Sequence, residues 1–240
     1  VIKPGRTAAA AAAAASHTGS LTGSDDVLTA AFKKAGVVRV DTIEQLYNMA
    51  ASLDKQPLAR GPRMTVITNA GGPGVITTDE IVTGGGQLAK ISPEAMEKYN
   101  SFLPGAWSHN NPVDVLGDAP PEMYAKALQV AGEDHESDGM LVILTPQSVT
   151  KPTETAVELA KYAHIEGKPV YASWMGGKEL EKGRQILRDA GIPVFESPDA
   201  AAKIFNYCWE YSHNLNELYE EPKTPLHSAD PAEARKIIEK

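Results

Sequence analysis

The first chemistry in the sequence belongs to one histidine. The run Ser16-His17-Thr18-Gly19-Ser20-Leu21-Thr22-Gly23-Ser24 sets an imidazole among hydroxyls and glycines. A neutral imidazole nitrogen is a competent nucleophile toward phosphorus, and a covalent intermediate on it divides one difficult transfer into two easier ones. Gly19 and Gly23 permit backbone conformations closed to other residues, and hydroxyls beside free NH groups can hold phosphate oxygens. An ordinary capping loop with a solvated histidine uses the same residue types, so this run alone leaves both readings open.

A second run, Thr68-Asn69-Ala70-Gly71-Gly72-Pro73-Gly74-Val75, follows a strand pattern and opens a helix pattern. Its glycines let a ligand approach the backbone, Pro73 suits a first helical turn, and free NH groups at a helix start favour an anion. An anion is therefore expected at Gly72 to Val75. The run lacks the Gly-Lys-Ser/Thr of a Walker A loop and the GxGxxG of a dinucleotide fold. A tight turn without a ligand remains the plain alternative. In a third run, His109 to Asp118, His109 and Asp114 are either an acid/base pair or turn and cap residues around a short strand. Glu133, Asp134, Glu136 and Asp138 read as a solvated acidic turn rather than a metal site.

The elements that must position these residues fall in two zones, separated where Pro57, Gly61 and Pro62 interrupt the pattern between Gln56 and Pro62. In the first zone Val1 to Lys3 reads as the end of a strand. Ala8 to Ala15 has high helix propensity, and Ser16 to Ser24 reads as a mobile loop. Ser24 is expected to cap a helix with Asp25 and Asp26 in its first turn. A further helix follows Asp41, with Glu44 placed for a capping box. This zone looks like the C-terminal part of an α/β domain.

In the second zone Met64 to Thr68, Leu88 to Ile91, Met140 to Leu144, Pro169 to Ser173 and Pro193 to Phe195 read as strands alternating with helices. Ser92-Pro93-Glu94 and Ser197-Pro198-Asp199 are helix starts, while Gly167 and Gly191 read as helix stops. Such alternation implies an α/β fold, a mostly parallel sheet with helices on both faces and ligands at the strand C-terminal ends. The Pro-containing tail after Glu221 reads as a linker into a further domain.

Composition narrows the partners. With 42% hydrophobic and 22% charged residues the 240-residue chain is ordinary for a globular protein. Its net charge of −8 argues against nucleic acid, whose phosphates demand clustered Lys and Arg. The longest apolar run, Ala8 to Ala15, falls far short of the roughly 20 residues a membrane-spanning helix needs. One cysteine, Cys208, excludes an internal disulfide and fits a reducing, cytoplasmic setting. Opening at Val1 without a signal pattern, the chain reads as a piece of a longer polypeptide.

Three runs together, SHTGSLTGSD (16–25), TNAGGPGVITTD (68–79) and NPVDVLGDA (111–119), resemble the NDP-forming (ADP-forming) acyl-CoA synthetases, relatives of succinyl-CoA synthetase. The similarity continues through Leu141 to Gln147, Lys168 to Gly177 and Ala190 to Ser197. It implies a phosphohistidine at His17, with Ser16, Thr18 and Gly19 beside it. It also implies a glycine-rich helix start, Asn69, Gly71, Gly72, Gly74 and Val75, that faces it.

By the same resemblance, residues 1–58 end a succinyl-CoA-synthetase-like domain, 59–221 form a flavodoxin-like ligase-CoA domain, and 222–240 lead into an ATP-grasp domain. The implied ligands are acyl-CoA, CoA, phosphate and ATP or ADP, with magnesium expected beside the nucleotide in the ATP-grasp domain. The implied partners are the CoA-binding and ATP-grasp domains of the same polypeptide or complex, in an oligomer. At Ala8 to Ala15, relatives carry a glutamate or basic residues, so any role of those side chains is lost here. Two alternatives stand beside the ligase. One is a regulatory acyl-CoA- or nucleotide-sensing module of a protein lysine acetyltransferase; the other is a flavodoxin-like binding module with fortuitous motifs.

Overall fold

The computed structural model describes residues 1–18, 24–219 and 235, those at 16–18 by backbone alone. The first zone holds helices α1 (Ala8–Thr18), α2 (Asp25–Lys34) and α3 (Ile43–Lys55). The alanine run forms α1, which continues through Thr18 and so takes in the first three residues expected to be loop. Val1 to Lys3 makes no strand: Ile2 forms a single parallel bridge with Val40. The helix after Asp41 starts one residue later than expected. Thr42 accepts from Gln45 N, and Gln45, not Glu44, completes the capping box. Ser24 makes no side-chain cap on α2.

The second zone is built from β1 (Arg63–Thr68), α4 (Gly71–Thr83), β2 (Gln87–Leu88), α5 (Pro93–Phe102), β3 (Val113–Asp114) and α6 (Pro121–Glu133). Then come β4 (Gly139–Leu144), α7 (Pro152–Ala160), β5 (Val170–Trp174), α8 (Glu181–Asp189), β6 (Val194–Phe195) and α9 (Pro198–Tyr219). Every strand pair is parallel, in the order β2-β1-β4-β5-β6, with β3 also on β1. The sheet thus has the expected α/β form, a mostly parallel sheet with helices on both faces. One core joins it to α5, α6, α7 and α8 through residues such as Tyr99, Leu128, Leu159, Trp174 and Leu187. The opposite core joins it to α3, α4 and α9 through Met49, Ile81, Leu141, Ile143, Tyr171 and Phe205. Fully burying one such side chain stabilises the fold by about 1.5–3 kcal/mol.

The outer edge of β1 is completed by three pieces. β2 pairs with Arg63 and Met64, and β3 pairs with Ile67 and Thr68. Between them the buried Asn111 amide acts as the missing strand. It accepts from Val66 N at 3.0 Å and donates to Met64 O at 2.8 Å and Ala89 O at 3.0 Å. β2 therefore stops at Leu88 rather than Ile91, because Asn111 holds the Ala89 carbonyl and the chain turns into the Ser92 cap of α5. Gly191, at φ +89°, follows α8 as expected, whereas α7 ends at Ala160 and Gly167 lies in a later turn at φ +69°.

The segment between the zones is stitched into the sheet by Gln56. Its buried amide donates to Ala163 O at 3.1 Å and Gly191 O at 2.7 Å, and accepts from Val170 N at 2.9 Å. At the bottom of the sheet, Arg63 binds Asp138 and Glu136, each at 2.8 Å. Asp134, 8% exposed, accepts from Ser92 N and Glu136 N. Asp134 and Asp138 thus tie the acidic loop to α5 and β1, while Glu133 stays exposed as expected. These partners raise the Arg63 pKa, first through its hydrogen bond to Asp138. Among the described residues no cluster of His, Cys, Asp or Glu suits a metal, and no helix is long and apolar enough to cross a membrane.

Candidate functional site

After β1 the chain crosses to β2 on one side, and after β3 it returns to β4 on the other. The order of strands reverses between β1 and β4, and at such a reversal the loops leaving the strand C-terminal ends diverge and open a crevice. The run Thr68 to Val75 sits there. Thr68 Oγ1 donates to Ala70 O at 2.8 Å and accepts from Ala70 N at 3.1 Å, folding the turn that leads into α4. Asn69 is buried. Its amide donates to Thr145 O at 2.8 Å and accepts from Thr145 N at 2.9 Å and Thr145 Oγ1 at 3.0 Å. Its carbonyl accepts from Gln147 Nε2 at 3.2 Å. The Asn69 side chain is therefore spent on holding the two loops together, and the surface of the turn is left to backbone.

That surface is the start of α4. Ala70 supplies no side-chain cap, and the first turn holds no acidic residue. The other helices from α2 to α9 each carry Asp or Glu there. A helix start has unpaired NH groups and a partial positive charge, and at α4 no side chain among the described residues caps or balances them. A Cβ added at Gly71 or Gly72 would meet nothing within 4 Å among the described residues, so packing against those residues does not require glycine at either position. At Gly74 it would come within 3.3 Å of Pro112 Cβ and 3.4 Å of Thr68 Cγ2, so this glycine serves close packing of α4 against the turn. Val75 and Ile76 follow, 62% and 55% exposed.

His109 and Asp114 do not pair. His109 Nε2 contacts Gly105 O at 3.1 Å with its ring on Trp107, and Asp114 Oδ1 accepts from Leu116 N at 2.9 Å. The turn-and-cap reading holds for both. Behind them the buried Tyr124 hydroxyl finds no partner among the described residues, and its pKa is raised by burial and then by the charge of Asp114, which keeps it neutral. The histidine run is only partly in view. Ser16, His17 and Thr18 lie on the last turn of α1, while their side chains, Gly19 and the rest of 19–23 lie outside the described residues.

Thr145, Gln147 and Gly117 also belong to the site, although sequence reading gave them no role. The Gln147 amide lies directly over Gly117, so a Cβ there would displace it. The available signal was the position of polar residues directly after β4, where a strand reversal places ligands.

Comparison with known proteins agrees with the parallel α/β fold. Residues 1–53 match the succinyl-CoA ligase like flavodoxin domain, and residues 64–213 match the Ligase-CoA domain. The chain is 36% identical over 213 residues to acetate–CoA ligase [ADP-forming] I of Archaeoglobus fulgidus, covering 88% of this chain and 30% of that protein. It is 38% identical over 205 residues to acetate–CoA ligase [ADP-forming] II subunit alpha of Pyrococcus furiosus, covering 84% and 45%.

A solved structure, the dinucleotide forming acetyl-coenzyme A synthetase 1 of Ca. Korarchaeum cryptofilum in complex with phosphate and ADP, superposes with a TM-score of 0.84 at 30% identity. That match covers 92% of this chain and 49% of the other. The chain spans less than half the length of each of these relatives. With the parallel sheet, the glycine-rich start of α4 and the match over residues 64–213, the chain belongs to the Ligase-CoA domain family.

Proposed function

We propose that this chain is the phosphoryl-relay part of an ADP-forming acyl-CoA synthetase, with His17 as the relay. Phosphate attacks the thioester carbonyl and CoA leaves as its thiol, giving an acyl phosphate. A His17 nitrogen then attacks phosphorus and the carboxylate leaves. ADP takes the phosphoryl group from the histidine, forming ATP and restoring the imidazole. Residues 1–58 carry the relay, 59–221 the domain that receives it, and 222–240 lead toward an ATP-grasp domain where nucleotide and magnesium bind.

The observation that carries the reading is the start of α4, which has no side-chain cap, no first-turn acid and open space over Gly71 and Gly72. The backbone NH groups of Gly71 and Gly72, which precede the first intrahelical bonds of α4, suit the phosphoryl oxygens of a phosphohistidine. Ser16, Thr18 and Gly19 flank the histidine in sequence and are assigned to the same phosphoryl group by the resemblance alone. Asn69 acts through its grip on Thr145. The relatives are named as ligases, which favours catalysis over the sensing module. Acyl-CoA, a cytoplasmic setting and an oligomer completed by CoA-binding and ATP-grasp domains belong to the same reading.

The test uses the full-length protein carrying this sequence. Labelled ATP and magnesium should give an acid-labile, base-stable adduct that His17→Ala abolishes, since a phosphorus–nitrogen bond hydrolyses once its nitrogen is protonated. Net ATP synthesis retained in His17→Ala would refute the relay.

A further inference from the structure

The NH groups that open α4 serve an anion only if they point at it, and glycine does not fix a direction. Gly71 and Gly72 leave the backbone free to turn, so their aim comes from the peptides just before them. In a trans peptide the C=O and N–H point opposite ways, so a hydrogen bond at one end sets the direction of the other. The Ala70 carbonyl accepts from Thr68 Oγ1 at 2.8 Å, which turns the Gly71 NH, at the other end of that peptide, away from Thr68. This NH is the first of α4 and precedes the helix's own bonds.

The preceding peptide, Asn69–Ala70, is gripped at both ends. Ala70 N donates to Thr68 Oγ1 at 3.1 Å, and the Asn69 carbonyl accepts from Gln147 Nε2 at 3.2 Å. Thr68 belongs to the same turn, and its single hydroxyl can rotate with Ala70. Gln147 stands 78 residues further on, in the loop after β4, and refers the turn to the rest of the sheet. It is itself held: its NH donates to Thr150 Oγ1 at 2.9 Å, its carbonyl accepts from Thr150 N at 3.1 Å, and its side-chain amide rests on Gly117. One exposed side chain thus joins the loops that leave β1, β3 and β4.

We propose that Gln147 is a positioning residue for phosphoryl transfer, whose amide, resting on Gly117 and holding the Asn69 carbonyl, blocks rotation of the Asn69–Ala70 peptide and keeps the Gly71 and Gly72 NH groups aimed at the phosphoryl oxygens. The proposal rests on the phosphohistidine reading above. Donors fixed before the reaction need no reorganisation during it, so Gln147 acts on rate through the backbone without touching the reacting atoms.

The experiment uses the full-length protein and reads the rate of His17 labelling across ATP concentrations, with the thermal midpoint beside it. Gln147→Ala removes the donor, and Gln147→Glu replaces it with an acceptor and a negative charge. Gly117→Ala displaces the amide while leaving Gln147 in place, and the double variant Gly117→Ala/Gln147→Ala has room for the added methyl group.

The maximal labelling rate should fall about three- to tenfold in Gln147→Ala, the scale of one lost hydrogen bond. It should fall further in Gln147→Glu, with part of that extra loss restored by salt. The ATP concentration for half-maximal rate should not move, since the nucleotide binds in another domain. Gly117→Ala should slow labelling in wild type and add nothing once Gln147 is alanine, because both changes remove one contact. Thermal midpoints should stay near wild type. Wild-type rates in Gln147→Ala and Gln147→Glu would overturn the proposal, as would additive effects in the double variant or a loss of rate that tracks the thermal midpoint. An unlabelled wild type would instead sink the phosphohistidine reading and the role of Gln147 with it.

Discussion

The Asn69 side chain stands to Thr145 as one strand stands to its neighbour, donating to its carbonyl and accepting from its NH. The pair extends the β1–β4 ladder beyond the point where the strands end, Thr68 and Leu144 being their last residues. The start of α4 is thereby registered against the β4 loop by one amide, in a position where the two chains would otherwise separate.

Asn69→Ala should remove this registration. It leaves Thr145 N and O without their partner near the buried sheet end, and an unsatisfied buried group costs about 1–3 kcal/mol. Chemical denaturation should show a loss in that range, and histidine labelling should fall as well. An unchanged denaturation midpoint would show that the loops hold their register without it.

Gly72→Ala and Gly74→Ala should differ in sign. At Gly72 a methyl group meets open space, so the variant should hold or gain up to about 1 kcal/mol of stability while slowing phosphoryl transfer. At Gly74 the methyl group presses on Pro112 and Thr68 and should cost about 1 kcal/mol. Full activity in a stabilised Gly72→Ala would remove the case for a ligand at the start of α4.

Much of this arrangement was legible before folding, and the part that was not has one physical character. β1, β4 and β5 announce themselves as short runs of β-branched, aromatic and apolar residues, and Ser92-Pro93 as a helix start, because these signals are local. Asn111, Gln56 and Arg63 gave none. Each satisfies groups far along the chain, Val66 N from 45 residues away, Val170 N from 114 and Asp138 from 75. A residue type records that it can bond but not which distant group folding will bring to it. The capping box moved from Glu44 to Gln45 for a related reason, since Asp41, the expected cap, is engaged by Arg6.

Cys208 should be silent toward thiol reagents in the folded protein. Burial pushes its thiol up to about 11, and it accepts from the Tyr171 hydroxyl at 3.4 Å inside the α9 core. Since the thiolate is the reactive form, modification near pH 8 should follow unfolding by denaturant rather than precede it. Modification of native protein at the rate of a free thiol would contradict this burial.

Asp25, whose carboxylate is paired with Arg39 and Arg6, should release both in acid. Arg39 and Arg6 lower its carboxyl below the ordinary 3.8, so the folded state holds the proton more weakly than the unfolded chain. Any stabilisation it gives is present above that ordinary value and lost as pH falls through the lowered one. The carboxyl resonance of Asp25 should titrate below 3.8 and move upward in Arg39→Ala. An unmoved midpoint in that variant would show that Arg39 does not hold the carboxylate in solution.

Gln56 has a practical consequence for anyone dividing this protein. A chain begun at residue 59, where prolines and glycine invite a cut, would discard the amide that covers Val170 N and the carbonyls of Ala163 and Gly191. The main chain of β5 would open to solvent at its first residue, and with it the end of the turn after α8. Such a truncation should be more protease-sensitive around Val170 than one begun before α3, so the shorter piece is the poorer vehicle for structural or binding work.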